Sequence, residues 1–354
     1  MVDARSTKST QTKVKCLVWD LDNTLWSGTL LEGDQVKLKP SCVDLIKLLD
    51  SRGILNSIAS RNVAEDARKK LAEFGIDHFF LCPQIGWNEK STSISLIAET
   101  LNIGLDTIAF VDDQIFEREE VQHEHPQVRC FDADEIDSIH SLPEFSSTYS
   151  TVESNNRRQM YIDEETRQEK EKAHDGSTES FLSTLELKVS IKTATANHLA
   201  RASELTERTN QFNTTGISYS EQDLLEMMKS KDYRVYVVEL QDKYGSYGTI
   251  GLSVIHTTED IWTIKLLLMS CRVISRNIGT VFISYLLRQA LKNGKRLQAE
   301  MVHNSRNRMM QLAYKFSGFS KISVKDHTHT LEHHLRSIPE YPEYVSVEDL
   351  YEYD

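Results

Sequence analysis

Two aspartates, Asp20 and Asp22, stand one residue apart in the stretch CLVWDLDNTLWSG (residues 16–28). They follow an apolar run, Cys16 to Trp19, of the length of a buried strand. Carboxylates this close repel each other unless a cation or a substrate compensates them. Three further groups follow apolar runs or open helical patterns in the same way: Ser60-Arg61-Asn62, Lys90, and the pair Asp112-Asp113. If the runs are parallel strands, all of these residues converge on one edge of a sheet, where open parallel sheets bind their ligands. The set has the parts that phosphoryl transfer needs. One carboxylate, Asp20, attacks phosphorus. A second, Asp22, protonates the leaving oxygen and then activates water. Mg²⁺ takes oxygen ligands, offered by Asp20, Asp22, Asp112 and Asp113 or by an adjacent backbone carbonyl. Ser60 and Lys90 hold phosphate oxygens, with Arg61 and Asn62 beside them and Asn62 and Glu117 as supporting candidates. Each residue alone also has an ordinary structural use, as a turn former, a helix cap or a solvated lysine. Their order, each after an apolar run, favours a site.

The elements that position these groups are legible as alternating patterns. Helical spacing marks CVDLIKLLDSR (42–52), RNVAEDARKKLAEF with Gly75 as its stop, and 91–102 ending at Gly104. Buried strands are expected at KVKCLVWD, GILNSIAS (53–60), TIAFVDD (107–113) and VRCFD (128–132), giving βαβ units and a parallel sheet. Near residue 145 the composition turns polar and charged, with one helix expected between about Asn155 and Lys172. A second pattern starts at Leu185. LELKVSI reads as a strand and HLARASELTERT and DLLEMMKS as helices. YRVYVVEL, TIGLSVIHT and WTIKLLLMSC read as an antiparallel meander, and VFISYLLRQALKNG as an amphipathic helix. The fold class expected is α/β: a parallel sheet without a large cap, then a smaller α/β domain with a mostly antiparallel sheet. The boundaries are 1–12 as a tail, 13–145, a linker at 146–183, 184–325, and a C-terminal tail at 326–354.

Length and charge bound the rest. The 354 residues suffice for two ordinary domains. With 41 Lys and Arg against 53 Asp and Glu, the formal charge is 41 − 53 = −12. The chain has no global electrostatic footprint for nucleic acid or an anionic membrane. No signal segment or membrane span shows, and the five cysteines are scattered, so a cytoplasmic protein with reduced thiols is expected.

The motifs carry a resemblance. Asp20-Leu-Asp22-Asn-Thr24, Ser60, Lys90 and Asp112-Asp113 match, in order, the four motifs of haloacid-dehalogenase-type (HAD) phosphatases. More narrowly, DLDNTLWSGTL, SIASRN, IGWNEKS, FVDDQIFEREEV, ELTERTNQFNTT and LLLMSCRVISR resemble the FkbH-like family over about residues 13–325. The second half is similar to a GNAT-type acyltransferase. The resemblance implies Thr24 among the phosphate-site residues, Mg²⁺ as cofactor, and 1,3-bisphosphoglycerate as substrate. It further implies an acyl carrier protein as partner, which receives the glyceryl group through a cysteine thioester in polyketide-type biosynthesis. Cys271, beside Arg272, is the candidate thiol, with Cys16 as the alternative; a neighbouring cation lowers a thiol pKa. Arg208, Asn210, Gln211 and Asn213 are candidate carrier or acyl contacts together with Arg272. Ser275 and Asn277 stand where GNAT proteins place glycines near the acyl-CoA pyrophosphate, which disfavours free acyl-CoA. The competing expectation is a stand-alone Mg²⁺-dependent phosphatase whose second domain serves only as a lid.

Overall fold

Cys16–Trp19, buried at all four positions, is β1. The computed structural model describes residues 12–146, 151–209, 212–303 and 307–350, without the side chains of Cys271, Asp349 and Leu350. The chain divides into two units, Met1–Ile162 and Asp163–Asp354. In the first, β2 (Trp26–Ser27) and β3 (Lys37–Leu38) form a small hairpin and lead to α1 (Pro40–Ser51). There follow β4 (Leu55–Ser60), α2 (Ala64–Glu73), β5 (Gln84–Ile85), α3 (Lys90–Thr100), β6 (Ile108–Asp112), α4 (Ile115–Glu124) and β7 (Arg129–Asp132). The short helices α5 (Ile136–Ile139) and α6 (Val152–Asn155) come next, and α7 (Arg157–Lys172) runs through the boundary.

The sheet order is β5-β4-β1-β6-β7, and every pair is parallel. β1 is therefore the middle strand, and its apolar residues pack on both faces. Leu17 and Trp19 join Leu45, Ile46 and Leu49 of α1, while Cys16 and Val18 join Ile94 and Ile97 of α3. Fully burying one such aliphatic side chain stabilises by about 1.5–3 kcal/mol. α1 starts with Pro40 at its first turn, where no N–H is needed. It stops at Gly53, whose φ of 66° suits glycine. A Cβ there would stand 2.9 Å from the Ser154 carbonyl oxygen, so α6 can approach only because the residue is glycine. The expected parallel sheet is observed, and the hairpin at residues 26–38 occupies the short stretch in which no large lid fits.

The second unit begins within α7 and continues with α8 (Thr178–Ser183), β8 (Leu187–Thr193), α9 (Leu199–Arg208), α10 (Glu221–Lys229), β9 (Tyr233–Asp242), β10 (Gly245–Thr257) and β11 (Ile261–Met269). α11 (Ile278–Lys292), β12 (Arg296–Val302), α12 (Arg308–Phe316), β13 (Ser320–Lys325), β14 (Thr328–His333) and β15 (Val345–Leu350) complete it. The eight strands lie in the order β13-β14-β12-β11-β10-β9-β8-β15. The sheet is mostly antiparallel, with parallel pairs at β11/β12 and β8/β15. The expected tail at 326–354 is corrected: it supplies β14, and β15 at the opposite edge. Within the expected linker at 146–183, the helix expected between about Asn155 and Lys172 is α7 (Arg157–Lys172); α6 and α8 are additional, and the unit boundary falls inside α7.

β11 and β12 pair only from Ile261/Arg296 to Ile264/Ala299 and then part. The backbone of Phe212–Thr214 fills the split. Met269 N–H donates to Phe212 O (3.0 Å), Thr214 N–H to Leu267 O (3.1 Å), and Val302 N–H to Thr214 O (2.9 Å). Otherwise these strand groups would be left without partners in the core.

A charged cluster fixes the second part of α7 on this sheet. Arg167, 2 % exposed, makes two bonds to Asp242 (2.7 and 3.0 Å), and Tyr247 Oη donates to the same carboxylate (2.9 Å). Arg276 Nη2 lies 3.1 Å from Glu164. Removing one member of a buried pair strands the other charge. Arg167→Met should therefore lower the stability of the chain by about 3–5 kcal/mol in denaturant melts. A loss below about 1 kcal/mol would mean the pair is solvated.

Candidate active site

Asp20 is the first residue past β1; Asp112 ends β6, the adjacent strand, and Asp113 follows it. The register Trp19↔Val111 brings Asp20 beside Asp112. One oxygen from each of Asp20, Asp112 and Asp113 lies within 4.8 Å of the others. Lys90 opens α3 and is 2 % exposed. Its Nζ donates to Asp20 and to the Ala59 carbonyl (2.7 Å), and lies 3.1 Å from Asp112 Oδ2. One ammonium thus joins the tips of β1, β4 and β6. Sequence spacing alone anticipates this convergence.

The charges do not balance. Three carboxylates and one ammonium give −3 + 1 = −2 when all are ionised. Burial pushes the Asp20 carboxyl up to about 6; Lys90 opposes the shift and Asp112 adds to it. Burial also raises Asp112, against Lys90, and raises Asp113, with Asp20 adding. Burial would lower the Lys90 pKa, but Asp20 and Asp112 outweigh it and hold the ammonium charged. Asp112 Oδ2 is buried and makes no hydrogen bond beyond its ion pair. An all-oxygen donor set with two uncompensated charges and an unfilled acceptor fits a hard divalent cation such as Mg²⁺.

The remaining candidates divide. Asp22 lies outside the cluster, which corrects the expectation that its carboxylate ligates the metal. Its Oδ1 accepts from Trp26 Nε1 (2.8 Å) and Leu30 N (3.0 Å), and its Oδ2 from Asn62 Nδ2 (2.8 Å). Only its backbone carbonyl remains a ligand option. Thr24, fully buried, accepts from Asp113 N–H (3.0 Å), so its hydroxyl positions Asp113 rather than phosphate. Asn62 is likewise buried and orients Asp22, which leaves its amide N–H₂ engaged within the protein. Ser60, buried at the end of β4, and Arg61, the next residue, stay at the sheet edge where they are expected. Arg61 Nη1 lies 3.1 Å from Glu117 Oε1.

Two supporting groups were not anticipated. Arg118 donates to the Asp112 carbonyl (2.7 Å) and to Asp132 (2.5 Å), bracing the β6 tip. Glu120 accepts from Ser91 Oγ and, at 3.2 Å, from Ser91 N, covering the start of α3 next to Lys90. Both lie on α4, five and seven residues after Asp113, and only that place on the helix hints at them.

In the second unit, Asn213 is corrected as a ligand contact. It is buried, and its Oδ1 accepts from Thr215 N (3.1 Å) and Gly216 N (2.8 Å), which makes it a turn former. Arg208 closes α9, half-buried. Arg272 Nη2 donates to Tyr247 O (3.1 Å). Asn210, Gln211 and the Cys271 side chain lie outside the described residues. Cys16 is core: it is fully buried, and burial raises its thiol pKa far out of the reactive range. A groove of about 200 Å³, mostly apolar, lies between the α11 start and α12, lined by Met269, Ile274, Asn277, Thr280, Met309 and Phe316. Asn277 has φ 59°, a left-handed conformation that a glycine would take at less cost.

Searches against protein-family models and against curated proteins find no match. Solved structures do match. The N-terminal, phosphatase-domain part of a Bacteroides fragilis protein, complexed with Mg, is 28% identical, with 39% of this chain and 41% of that chain covered and a TM-score of 0.32. This chain thus spans less than half of that structure. A HAD-superfamily hydrolase from Ehrlichia chaffeensis is 13% identical, with 34% and 87% covered and a TM-score of 0.29. An acetyltransferase from Bacillus cereus is 16% identical, with 41% and 98% covered and a TM-score of 0.30. The architecture is a five-stranded parallel sheet in the first unit and an eight-stranded mixed sheet in the second. Among the described residues no helix is long and apolar enough to cross a membrane.

The cluster makes cation binding testable. In calorimetry, Asp113→Asn should weaken Mg²⁺ at least about tenfold, and Asp22→Asn should change it by less than about threefold. The proton on Asp20 competes with the cation, because burial raises its carboxyl from the ordinary 3.8 to about 6 in the folded chain. A carboxyl raised on folding favours the folded state when protonated, so without a cation stability falls as pH rises from about 4 to 6. Added Mg²⁺ should then raise the melting temperature more at pH 7.5 than at pH 5.0. An equal gain at both values would place the cation elsewhere.

Proposed function

We propose that the chain is a Mg²⁺-dependent, HAD-type phosphatase joined to a glyceryl transferase, acting on 1,3-bisphosphoglycerate and an acyl carrier protein, in the manner of the FkbH-like proteins it resembles. The observation that carries the phosphatase half is the grouping of Asp20, Asp112 and Asp113 around Lys90 at the tip of a parallel sheet. Bound to these carboxylates, a divalent cation would neutralise phosphoryl oxygens and lower the charge that the nucleophile must approach. Asp20 attacks phosphorus, the P–O bond to the substrate breaks, and an aspartyl phosphate forms. Asp22, held by Trp26, Leu30 and Asn62, gives a proton to the leaving oxygen and takes one from the water that releases phosphate. Lys90 keeps the Asp20 carboxylate ionised and oriented. Ser60 and the backbone of Arg61-Asn62 offer donors to the phosphoryl oxygens.

Chemistry assigns the two phosphates of the substrate different fates. Attack on the phosphorus of the acyl phosphate would release a free acid and discard its activation. Asp20 therefore acts on the ester phosphate. At the acyl phosphate a thiolate attacks the carbonyl carbon, phosphate leaves, and a thioester forms. The apolar groove beside α11 suits the arm of a carrier protein. Cys271, in the turn that precedes α11, is the proposed relay thiol, and the polyketide-type pathway and cytoplasmic setting belong to the same proposal.

A second reading has its own support. Phe212–Thr214 fills the split between β11 and β12, and Asn277 stands where backbone would need to approach a nucleotide closely. These features suit a phosphatase with a non-catalytic second unit. The test incubates the full chain with Mg²⁺, 1,3-bisphosphoglycerate and a phosphopantetheinylated carrier, then weighs both proteins intact. A glyceryl adduct on the carrier is expected, and Asp20→Asn should lower phosphate release roughly a thousandfold or more. Phosphate release without any adduct selects the second reading. Normal transfer by Asp20→Asn overturns the first.

A further inference from the structure

We infer that Arg61, held in place by Glu117, receives a second oxyanion of the substrate, apart from the phosphoryl group handled at Asp20; this rests on the phosphatase reading of that site. Arg61 follows β4 directly, and Glu117 lies in the first turn of α4, after β6. β4 and β6 flank β1 on opposite sides. A 3.1 Å contact between residues that follow these two strands therefore spans the tip of β1, where Asp20 and Asp22 stand. The pair belongs to the site and not to a remote surface.

Its hydrogen bonding is incomplete in a telling way. The Glu117 side chain is 7 % exposed, the Arg61 side chain 38 %. The guanidinium meets Glu117 through Nη1. Arg61 Nε is buried with no hydrogen-bond partner, as are Glu117 Oε2 and Asn62 Oδ1. A guanidinium offers five N–H donors in a planar fork that matches carboxylate and phosphate oxygens two at a time. With one edge fixed by Glu117, the exposed part of the fork is pre-set for an oxyanion. A buried carboxylate is costly to keep, and here it restrains a long side chain that would otherwise lose rotamer freedom on binding.

Register separates this anion from the one transferred. The last β1–β4 pair is Trp19↔Ile58; Asp20 follows it by one residue on β1's side, and Arg61 by three on the β4 side. By residue count Arg61 thus lies two positions further beyond the paired strands than Asp20. The reacting phosphoryl group already has Lys90 and the carboxylate cluster. The substrate class is a phosphate monoester that carries a carboxylate or a second phosphate a short chain away.

Calorimetry with the full chain and Mg²⁺ tests this with three probes: methylphosphonate, 3-phosphonopropionate and propane-1,3-diylbisphosphonate. The wild type should bind a two-anion probe about tenfold or more tighter than methylphosphonate. Arg61→Gln should bring that ratio down to about one, Glu117→Gln should reduce it, and Arg61→Lys should restore part of it. Which two-anion probe binds tighter distinguishes carboxylate from phosphate. No preference in the wild type, no binding at all, or an equal loss for all three probes in Arg61→Gln overturns the inference. Turnover of p-nitrophenyl phosphate is read separately. A wild type that prefers two-anion probes but releases no phosphate from any ester sinks the phosphatase reading and leaves the anion receptor standing.

Discussion

Lys90 carries the arrangement of the first unit. Its ammonium is buried and donates to a carboxylate past β1 and to a carbonyl on β4, and it lies beside a carboxylate on β6. Three parallel strands bring their carbonyl-rich ends together there, and two acids add full charge. A buried cation inverts that field locally and lets Asp20 and Asp112 ionise side by side. It does so incompletely, because a third acid, Asp113, joins the group. The residual negative charge suits the site to a divalent cation. The same lysine occupies the first position of α3, so helix start and counter-ion are one residue.

Around that core, each acid is given a separate task by its partners. Asp113 is tied by its N–H to Thr24, while Asp22 is turned toward Trp26, Leu30 and Asn62. The hairpin of β2 and β3 thus acts through Asp22, since both Trp26 and Leu30 lie in it or just beyond. The second unit solves a different problem. Its sheet splits where β11 and β12 diverge, and the chain fills the gap with its own backbone. Its charged staple at Arg167, Asp242, Glu164 and Arg276 lies between α7, the β9–β10 turn and the turn before α11.

The parts of this molecule that could be read from sequence are those governed by local pattern. β1, β4 and β6 are apolar runs that end in polar site residues, so both the strands and the convergence at their tips follow from spacing. The two late strands were hidden for the opposite reason. THTLEH and VSVEDL carry too many polar side chains to stand out, and one of them pairs with β8, more than a hundred residues earlier. Side-chain destinations were equally hidden. That Thr24 would serve Asp113, that Asn213 would close its own turn, and that Arg118 would brace Asp112 are consequences of tertiary geometry.

The central claim is that Asp20 becomes phosphorylated. The most direct measurement is a rapid acid quench of the Mg²⁺-loaded chain during turnover, followed by borohydride reduction and peptide mass spectrometry. Reduction of an aspartyl phosphate yields homoserine. The account predicts homoserine at position 20 and at no other acid. Phosphate release at full rate with Asp20 unmodified at every quench time, or homoserine at Asp22 or Asp113 instead, would contradict it.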